Sequence, residues 1–425
     1  MTRPRLLVTG GAVLDPTGTS FETGLTVICA GDTIEAVLPD AQVVRLDSDL
    51  TLDVGGAFVV PGLIDAHFHL VSRSATVADE DVVAIGTLEG VLNAQERLYA
   101  GVTTVRDAGC RHRGIFALNR AIQHGLVPGP RAFVAGRNPT GPGAPEHWRN
   151  VVVRSENEMR DAVRTQLDLG ANWIKCVVSH AEDPTEWGSV TQYLSESELR
   201  TAVEVAHERG ARISIHCEGA EISAMAVRCG VDALEHAPLI EASTAEMMAE
   251  RGTVYVPTLW AFSDDAGIDL DALAPQKRQR LLYWRAEHLE SVARASDLGV
   301  AIAAGSDAVG SLPRRDVLVN ELEALNKAGL DNIAALNSAT RVGGLLVGGP
   351  TPLGVLEARS GADMVITISN PHVAWDALRD PKWVISRGAI AVDNSTGSLR
   401  PERDLESAFA STTDRWVSDD PAMDS

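Results

Sequence analysis

One motif recurs along the middle of the chain and narrows the folds open to it. A helix-patterned stretch ends in Gly, and an apolar, β-branched run starts at the next residue. This happens at Gly101 (then VTTVRDAG), Gly170 (ANWIKCVV), Gly210 (ARISIHC), Gly230 (VDALEHA), Gly252 (TVYVPTL) and Gly299 (VAIAAGSDA). Glycine suits the residue just past a helix, where the backbone turns left-handed. Helix starts are marked as well: Ser155–Glu158, Ser195–Glu198 and Ser243–Glu246 each fit the S-x-x-E capping box. With Leu63–His69 and Arg131–Ala135 added, about eight strand candidates alternate with helices. Near-continuous apolar strands between helices predict a parallel sheet covered on both faces, and eight such units predict a (β/α)8 barrel over residues 59–347. An open doubly wound sheet would carry a Gly-rich phosphate turn after an early strand, and no G-x-G-x-x-G is present.

The two ends of the chain read differently. Residues 1–58 show turn signals and short extended runs at Leu6–Thr9, Leu25–Cys29, Thr33–Val37 and Gln42–Leu46. Beyond residue 348 the strand pattern returns at Gly354–Leu356, Met364–Ile368, Val384–Ser386 and Ala389–Val392. The expected fold is therefore α/β: a TIM barrel beside a small β-sandwich domain formed by residues 1–58 and 348–400. Residues 401–425 hold seven acids against two Arg and read as an acidic, weakly ordered tail.

Charge limits the partners. The chain has 37 Lys plus Arg against 58 Asp plus Glu, a formal charge of −21. That balance argues against nucleic acid and anionic membrane, which need basic surfaces. The apolar run Leu6-Leu7-Val8 is too short for a signal-peptide core, and no stretch reaches the ~20 apolar residues of a membrane span. Five cysteines (29, 110, 176, 217, 229) show no pairing pattern and read as free thiols, so a cytoplasmic protein is expected.

The chemistry lies in polar residues placed inside apolar strands. His67 and His69 are i and i+2 in LIDAHFH and share one face of a strand. Lys175 interrupts the apolar run WIKCVV, where an unpaired ammonium is expensive. Other strands end in Ile215-His216, Glu235-His236 and Ser306-Asp307. In a barrel these ends converge at one mouth. A lone buried His is more often a satisfied structural group, but a coincidence of all these positions is not expected. Four imidazoles and a carboxylate suit Zn²⁺ or a similar divalent ion. Lys175 is the discriminating residue, because burial favours its neutral amine, which can take up carbon dioxide and become an anionic carbamate. The expected site is a binuclear centre. His67, His69 and Asp307 hold one ion, His216 and His236 the other, and carboxylated Lys175 (N6-carboxylysine) bridges them with a hydroxide. Asp307 is the expected proton shuttle. A one-metal deaminase site would use similar ligands without needing the Lys.

These residues resemble the amidohydrolase superfamily. The motifs are PGLIDAHFH (61–69), GVTTVRDAG (101–109), IKCVVSH (174–180), SIHCEG (214–219), ALEHA (233–237), YVPTL (255–259) and AGSDA (304–308), with NSAT, LGVLEARSGADMVI and VISRGAI near the end. The resemblance spans about residues 5 to 395 and is greatest to the Xaa-Pro dipeptidase-like group. It implies two Zn²⁺-like ions, a carboxylated Lys and hydrolysis of an amide-type C–N bond in a small molecule by a metal-bridging hydroxide. It also suggests a homo-oligomer. Urea or carbamate hydrolysis is the alternative on the same centre, and a metal-free scaffold protein is another. Where such peptidases carry Gly-Gly-His after the third strand, this chain has Pro139-Thr140-Gly141-Pro142-Gly143, and its nearest His is His147. His147, His180 and Tyr255 are the candidate substrate contacts. Arg106, Asp107, Glu235 and Trp260 are weaker candidates, and Cys176 and Cys217 should point away from the site.

Overall fold

All six helix-ending glycines take the left-handed backbone expected of them, with φ from 70° at Gly210 to 107° at Gly170. Each is followed by an extended segment, so the motif read from sequence sets the rhythm of the fold. The computed structural model describes residues 4–71, 82–144, 150–181, 190–266, 268–309, 316–394 and 398–399. Residue His147 and the tail 401–425 lie outside the described residues.

The central strands pair in parallel and in chain order. Ala308–Val309, Leu63–His69, Val102–Asp107 and Arg131–Val134 form one arc. Trp173–Val177, Arg212–Cys217, Ala233–His236 and Val254–Val256 form a second, extended at one edge by Asn138–Thr140 and Asn150–Val152. Every residue of Leu63–His69, Val102–Asp107, Ala233–His236 and Val254–Val256 is buried, as parallel strands covered on both faces require. The arcs meet at two seams. At one, Asn172 donates its backbone N–H to Val134 O (3.1 Å) and its side-chain oxygen accepts from Val134 N (2.7 Å). At the other, Tyr255 N donates to Ala301 O and Ala66 N to Ala304 O, both at 2.9 Å. The expected eighth strand after Gly299 is thus mostly an irregular segment with a single bridge, Tyr255 to Ile302. Gly305 explains the tight approach there: a Cβ would lie 2.7 Å from His67 Cβ and 2.7 Å from Val256 Cγ1.

Both chain ends contribute to one nine-stranded sheet, including Leu6–Leu14, Phe21–Ala30, Thr33–Pro39, Phe58–Pro61, Met364–Thr367 and Trp383–Ser386. The pairing runs as one sheet, and the expected division into two stacked sheets does not appear in it. Its faces alternate with period two. Val59, Met364 and Ile366 join a core of the sheet's own, whereas Val60 and Val365 pack into the barrel's core. Two expected strands are absent. Gln42–Leu46 gives way to a 3-10 turn at Asp40–Gln42, and Val44 is 75% exposed, so there is no face for a strand there to bury. Gly354 has φ 75°, which an extended run cannot hold. The five cysteines are buried and none forms a disulfide, and no described helix is long and apolar enough to cross a membrane.

Two of the three Ser residues cap their helices, and one of the three capping boxes is complete. Ser155 accepts from Glu158 N and caps Glu156–Asp168. Ser195 and Glu198 make the full reciprocal box on Glu196–Glu208. Ser243 instead lies within the Ala242–Arg251 helix, whose N-cap is Glu241. Ser195→Ala is therefore expected to cost about 1 kcal/mol of stability. Ser243→Ala, on an exposed position, should change it by less than about 0.5 kcal/mol. Denaturant titration of both variants checks this ordering.

Candidate metal centre

Parallel strands deliver all six expected ligands to one end of the arcs. His67, His69, Lys175 and His236 are buried to within 3% of full coverage. His216 and Asp307 keep 19% and 25% of their side-chain surface and line the open side, with His180 at 30%. Ring centroids are 5.4 Å apart for His67 and His69, 4.9 Å for His67 and His236, and 4.4 Å for His216 and His236. The backbone is bent hard to achieve this. His236, Ala237, Thr258 and Asp307 have φ of 63°, 38°, 54° and 49°, a left-handed region that non-glycine residues seldom occupy. Such strain persists where the surroundings over-determine it. Asp307 is pinned by its N–H to His67 O (2.8 Å), and Tyr255 Oη donates to both His236 O (3.1 Å) and Ala237 O (2.9 Å).

Each imidazole has one nitrogen held from outside the cluster. His69 Nδ1 faces Gly109 O at 3.1 Å and so carries the proton it donates. His236 Nδ1 is 2.7 Å from Thr258 Oγ1, which gives its own proton to Pro257 O and therefore accepts from the ring. His67 Nδ1 faces Glu235 Oε2 at 3.3 Å. His67 and His69 turn Nε2 inward: Asp307 Oδ1 lies 3.2 Å from His67 Nε2 and 3.3 Å from His69 Nε2. His216 differs, because its Nε2 is the nitrogen held, by His180 Nδ1 at 3.1 Å. Such outer partners fix tautomer and orientation in metal sites generally.

Electrostatics prepare the same chemistry. Burial pushes the His67 imidazole down to about 3, with Asp307 offsetting only part of the effect. Burial likewise holds His216 and His236 well below the ordinary range, helped by Lys175 and by His216 respectively. Neutral rings are what a cation needs. Burial would raise Asp307, but His67, His69 and His236 outweigh it and hold the carboxyl well below its usual range. Lys175 Nζ sits in contact with Glu235 Oε2, whose other oxygen is 2.5 Å from Arg106 Nη2.

Three donor groups result: His67, His69 and Asp307; His67, Glu235 and His236; and His180, His216 and Glu218, with the ligand atoms of each within 4.8 Å of one another. Donors bound at about 2.0–2.2 Å around a tetrahedral ion stand roughly 3.3–3.6 Å apart. The spacings of the first group match that, so the residues present fit a divalent ion. The pairing expected for a second ion, His216 with His236, is close in space, but His216 also belongs to the His180 and Glu218 group.

The remaining candidates divide. His180 does reach the open side. Tyr255 does not: it is fully buried behind the His236 strand, its hydroxyl is committed to backbone carbonyls, and burial raises its pKa well above the phenol range. Its role here is to hold the bent His236–Ala237 backbone. Trp260 is buried, and its backbone N–H donates to Glu321 Oε2 at 2.6 Å. Asp107 accepts from Leu70 N and Gly109 N, which shapes the loop beside His69. Cys176 and Cys217 belong to the buried barrel core. Sequence reasoning missed Asp65, Glu218, Thr258 and Ser306. Asp65 accepts from Ser306 N and Oγ (2.9 and 2.6 Å) and ties the Asp307 turn to the His67 strand. Glu218 stands two residues past His216, the same spacing as His67 and His69, and that was the available signal. Thr258 carried none, since its role depends on a left-handed turn.

Comparison with known proteins agrees with this arrangement. Residues 58–391 match the model of the Amidohydrolase family. An uncharacterised protein of Mycobacterium tuberculosis is 26% identical over 343 residues, covering 78% of this chain and 85% of that protein. Ochratoxinase of Aspergillus niger is 26% identical over 361 residues, covering 77% and 73%. A solved prolidase complexed with N-methylphosphonate-L-proline superposes with a TM-score of 0.78 at 27% identity, covering 91% and 99%. Parallel strands in chain order, a convergent His, Lys and Asp set, and a family match over most of the length have one meaning: the chain belongs to the amidohydrolase family, with its TIM-barrel fold.

Proposed function

We propose that this protein is a binuclear metal-dependent hydrolase of amide-type C–N bonds, acting on a dipeptide, an N-acyl amino acid or a similar small amide. The observation that carries the reading is the His67, His69 and Asp307 triad beside a buried Lys175, with neutral rings and an ionised carboxylate. Two divalent ions, read as Zn²⁺, bound by His67, His69, His216, His236, Asp307 and carboxylated Lys175 would polarise a substrate carbonyl and lower the pKa of a water toward neutrality. The relatives named for prolidase and ochratoxinase support an amide as the bond cleaved. The unit that does this is residues 59–347, flanked by a second unit from 1–58 and 348–400.

The chain's own residues supply the proton path. The Asp307 carboxylate is ionised and faces the open side, so it can accept the proton of the attacking water. It then returns that proton to the departing nitrogen, which would otherwise leave as an unstable amide anion. His67 and His69 cannot do this, because their inner nitrogens are aimed at Asp307 and their outer ones are engaged. His180, at the open edge, is placed to meet a polar group of the substrate. The same centre would serve a urea or a carbamate.

A screen of dipeptides, N-acyl amino acids, aryl ureas and carbamates with metal-replete protein tests the reading. Amine plus carboxylic acid identifies an amide, and amine plus carbon dioxide a urea or carbamate. Ammonia as the only nitrogen product, or full activity after metal removal, overturns it. Asp307→Asn should cut kcat by about 10²-fold or more while most of the metal is retained, read by steady-state kinetics and metal analysis. Lys175→Ala should lose most bound metal, and added short carboxylic acids should restore part of both metal and activity by standing in for the carbamate oxygens.

A further inference from the structure

Arg106 is a fully buried cation on the Val102–Asp107 strand and ligates nothing itself. Its guanidinium reaches four other strands, and each of those four carries a metal-ligand candidate. Nε donates to Ala66 O at 2.6 Å, next to His67. Nη1 donates to Ser214 Oγ at 2.7 Å, two residues before His216. The Trp173 ring lies against its face, 4.8 Å from centroid to Cζ, two residues before Lys175. Nη2 pairs with Glu235 Oε1 at 2.5 Å, one residue before His236. Trp173 Nε1 closes the set by donating to the same Ser214 Oγ at 3.0 Å.

We infer that Arg106 is the positioning residue of the metal centre, a planar fork that fixes the spacing of the four ligand-bearing strands from below. Charge neutralisation alone would need one contact, to Glu235. The structure instead uses the Nε edge, both terminal nitrogens and the π-face, each on a different strand. Only a rigid guanidinium has that geometry, whereas an ammonium is a point charge on a flexible stem. Glu235 passes the constraint on: one oxygen is held by Arg106, and the other faces His67 Nδ1 and contacts Lys175. This inference rests on the metal-centre reading above.

The test measures metal binding and ligand-field geometry instead of turnover. Arg106→Lys keeps a cation opposite Glu235 but loses the fork. Ser214→Ala and Trp173→Phe each remove one arm. Zn²⁺ affinity is measured by chelator competition, the visible spectrum is recorded after Co²⁺ loading, and thermal melts of the metal-free proteins report folding. Arg106→Lys is expected to melt as a folded protein, to bind Zn²⁺ at least about tenfold more weakly and to show a changed Co²⁺ spectrum. Ser214→Ala and Trp173→Phe, with native-like melts, should show smaller losses in the same direction. Wild-type affinity and spectrum in Arg106→Lys overturn the inference, because charge alone then suffices. If Arg106→Lys does not fold, unchanged affinity and spectrum in both milder variants overturn it. A wild-type protein that binds neither ion removes the centre itself and the inference with it, an outcome distinct from equal binding by wild type and variants.

Discussion

Desolvation governs this molecule. The mouth of the barrel places four imidazoles, a lysine amine, a guanidinium and several carboxylates where water is largely excluded. Each would cost several kcal/mol if left alone. The structure meets that cost by pairing outward before anything is bound inward. Gly109 O, Thr258 Oγ1, Glu235 and His180 take one nitrogen from each ring. What remains facing the centre is a set of lone pairs and one ionised carboxylate. A site assembled this way has the donor chemistry to hold a divalent cation.

The backbone shares in this arrangement. Left-handed residues outside glycine are uncommon, yet His236, Ala237, Thr258 and Asp307, all at or beside the ligand cluster, adopt that conformation. A strand that ran on in extended form past His236 would carry Ala237 over the ligand cluster. The bend instead turns two carbonyls backwards, where Tyr255 and His288 collect them. His288 is itself buried, and burial pushes its imidazole down to about 3, so it acts as a neutral donor to His236 O. Rigidity at the mouth is therefore built by side chains that never meet a substrate.

How much of this was legible in the sequence follows from the range of each interaction. The six Gly-to-strand junctions could be read because helix termination is local, and a left-handed backbone stands at every one. Capping was readable at Ser155 and Ser195 but not at Ser243, where the helix starts one residue earlier and the box pattern falls inside it. The six ligand candidates stood out because a polar residue in a buried strand must have a reason. Tyr255 was misread for the opposite cause. A phenol at a strand end looks like a pocket residue, and only the positive φ of two residues on the neighbouring strand reveals which carbonyls it serves. The terminal strands were found where their alternation was strong, as at Val59 and Val60. They were misplaced around Val44, where apolar residues face solvent.

Arg106 shows the limit most clearly. In the run VTTVRD it is one charged residue at the end of an apolar strand, and sequence alone leaves it as an ion pair or a loop anchor. Its partners lie at residues 66, 173, 214 and 235, so no local pattern could connect them. Yet the barrel makes them neighbours, because parallel strands in chain order present equivalent rungs to a common axis. Trp173 and Ser214, two residues before Lys175 and His216, face the same side as those ligands, and a cluster of apolar side chains there would leave Glu235 buried with no guanidinium cation beside it. The ion pair at 2.5 Å supplies that cation in a geometry that also touches the rungs of its neighbours. The ligands above and the guanidinium below are thus two layers of one solution to the same problem. Charge concentrated enough to hold metal ions needs a fixed counter-charge, and where two arcs of parallel strands converge one group can reach four of them.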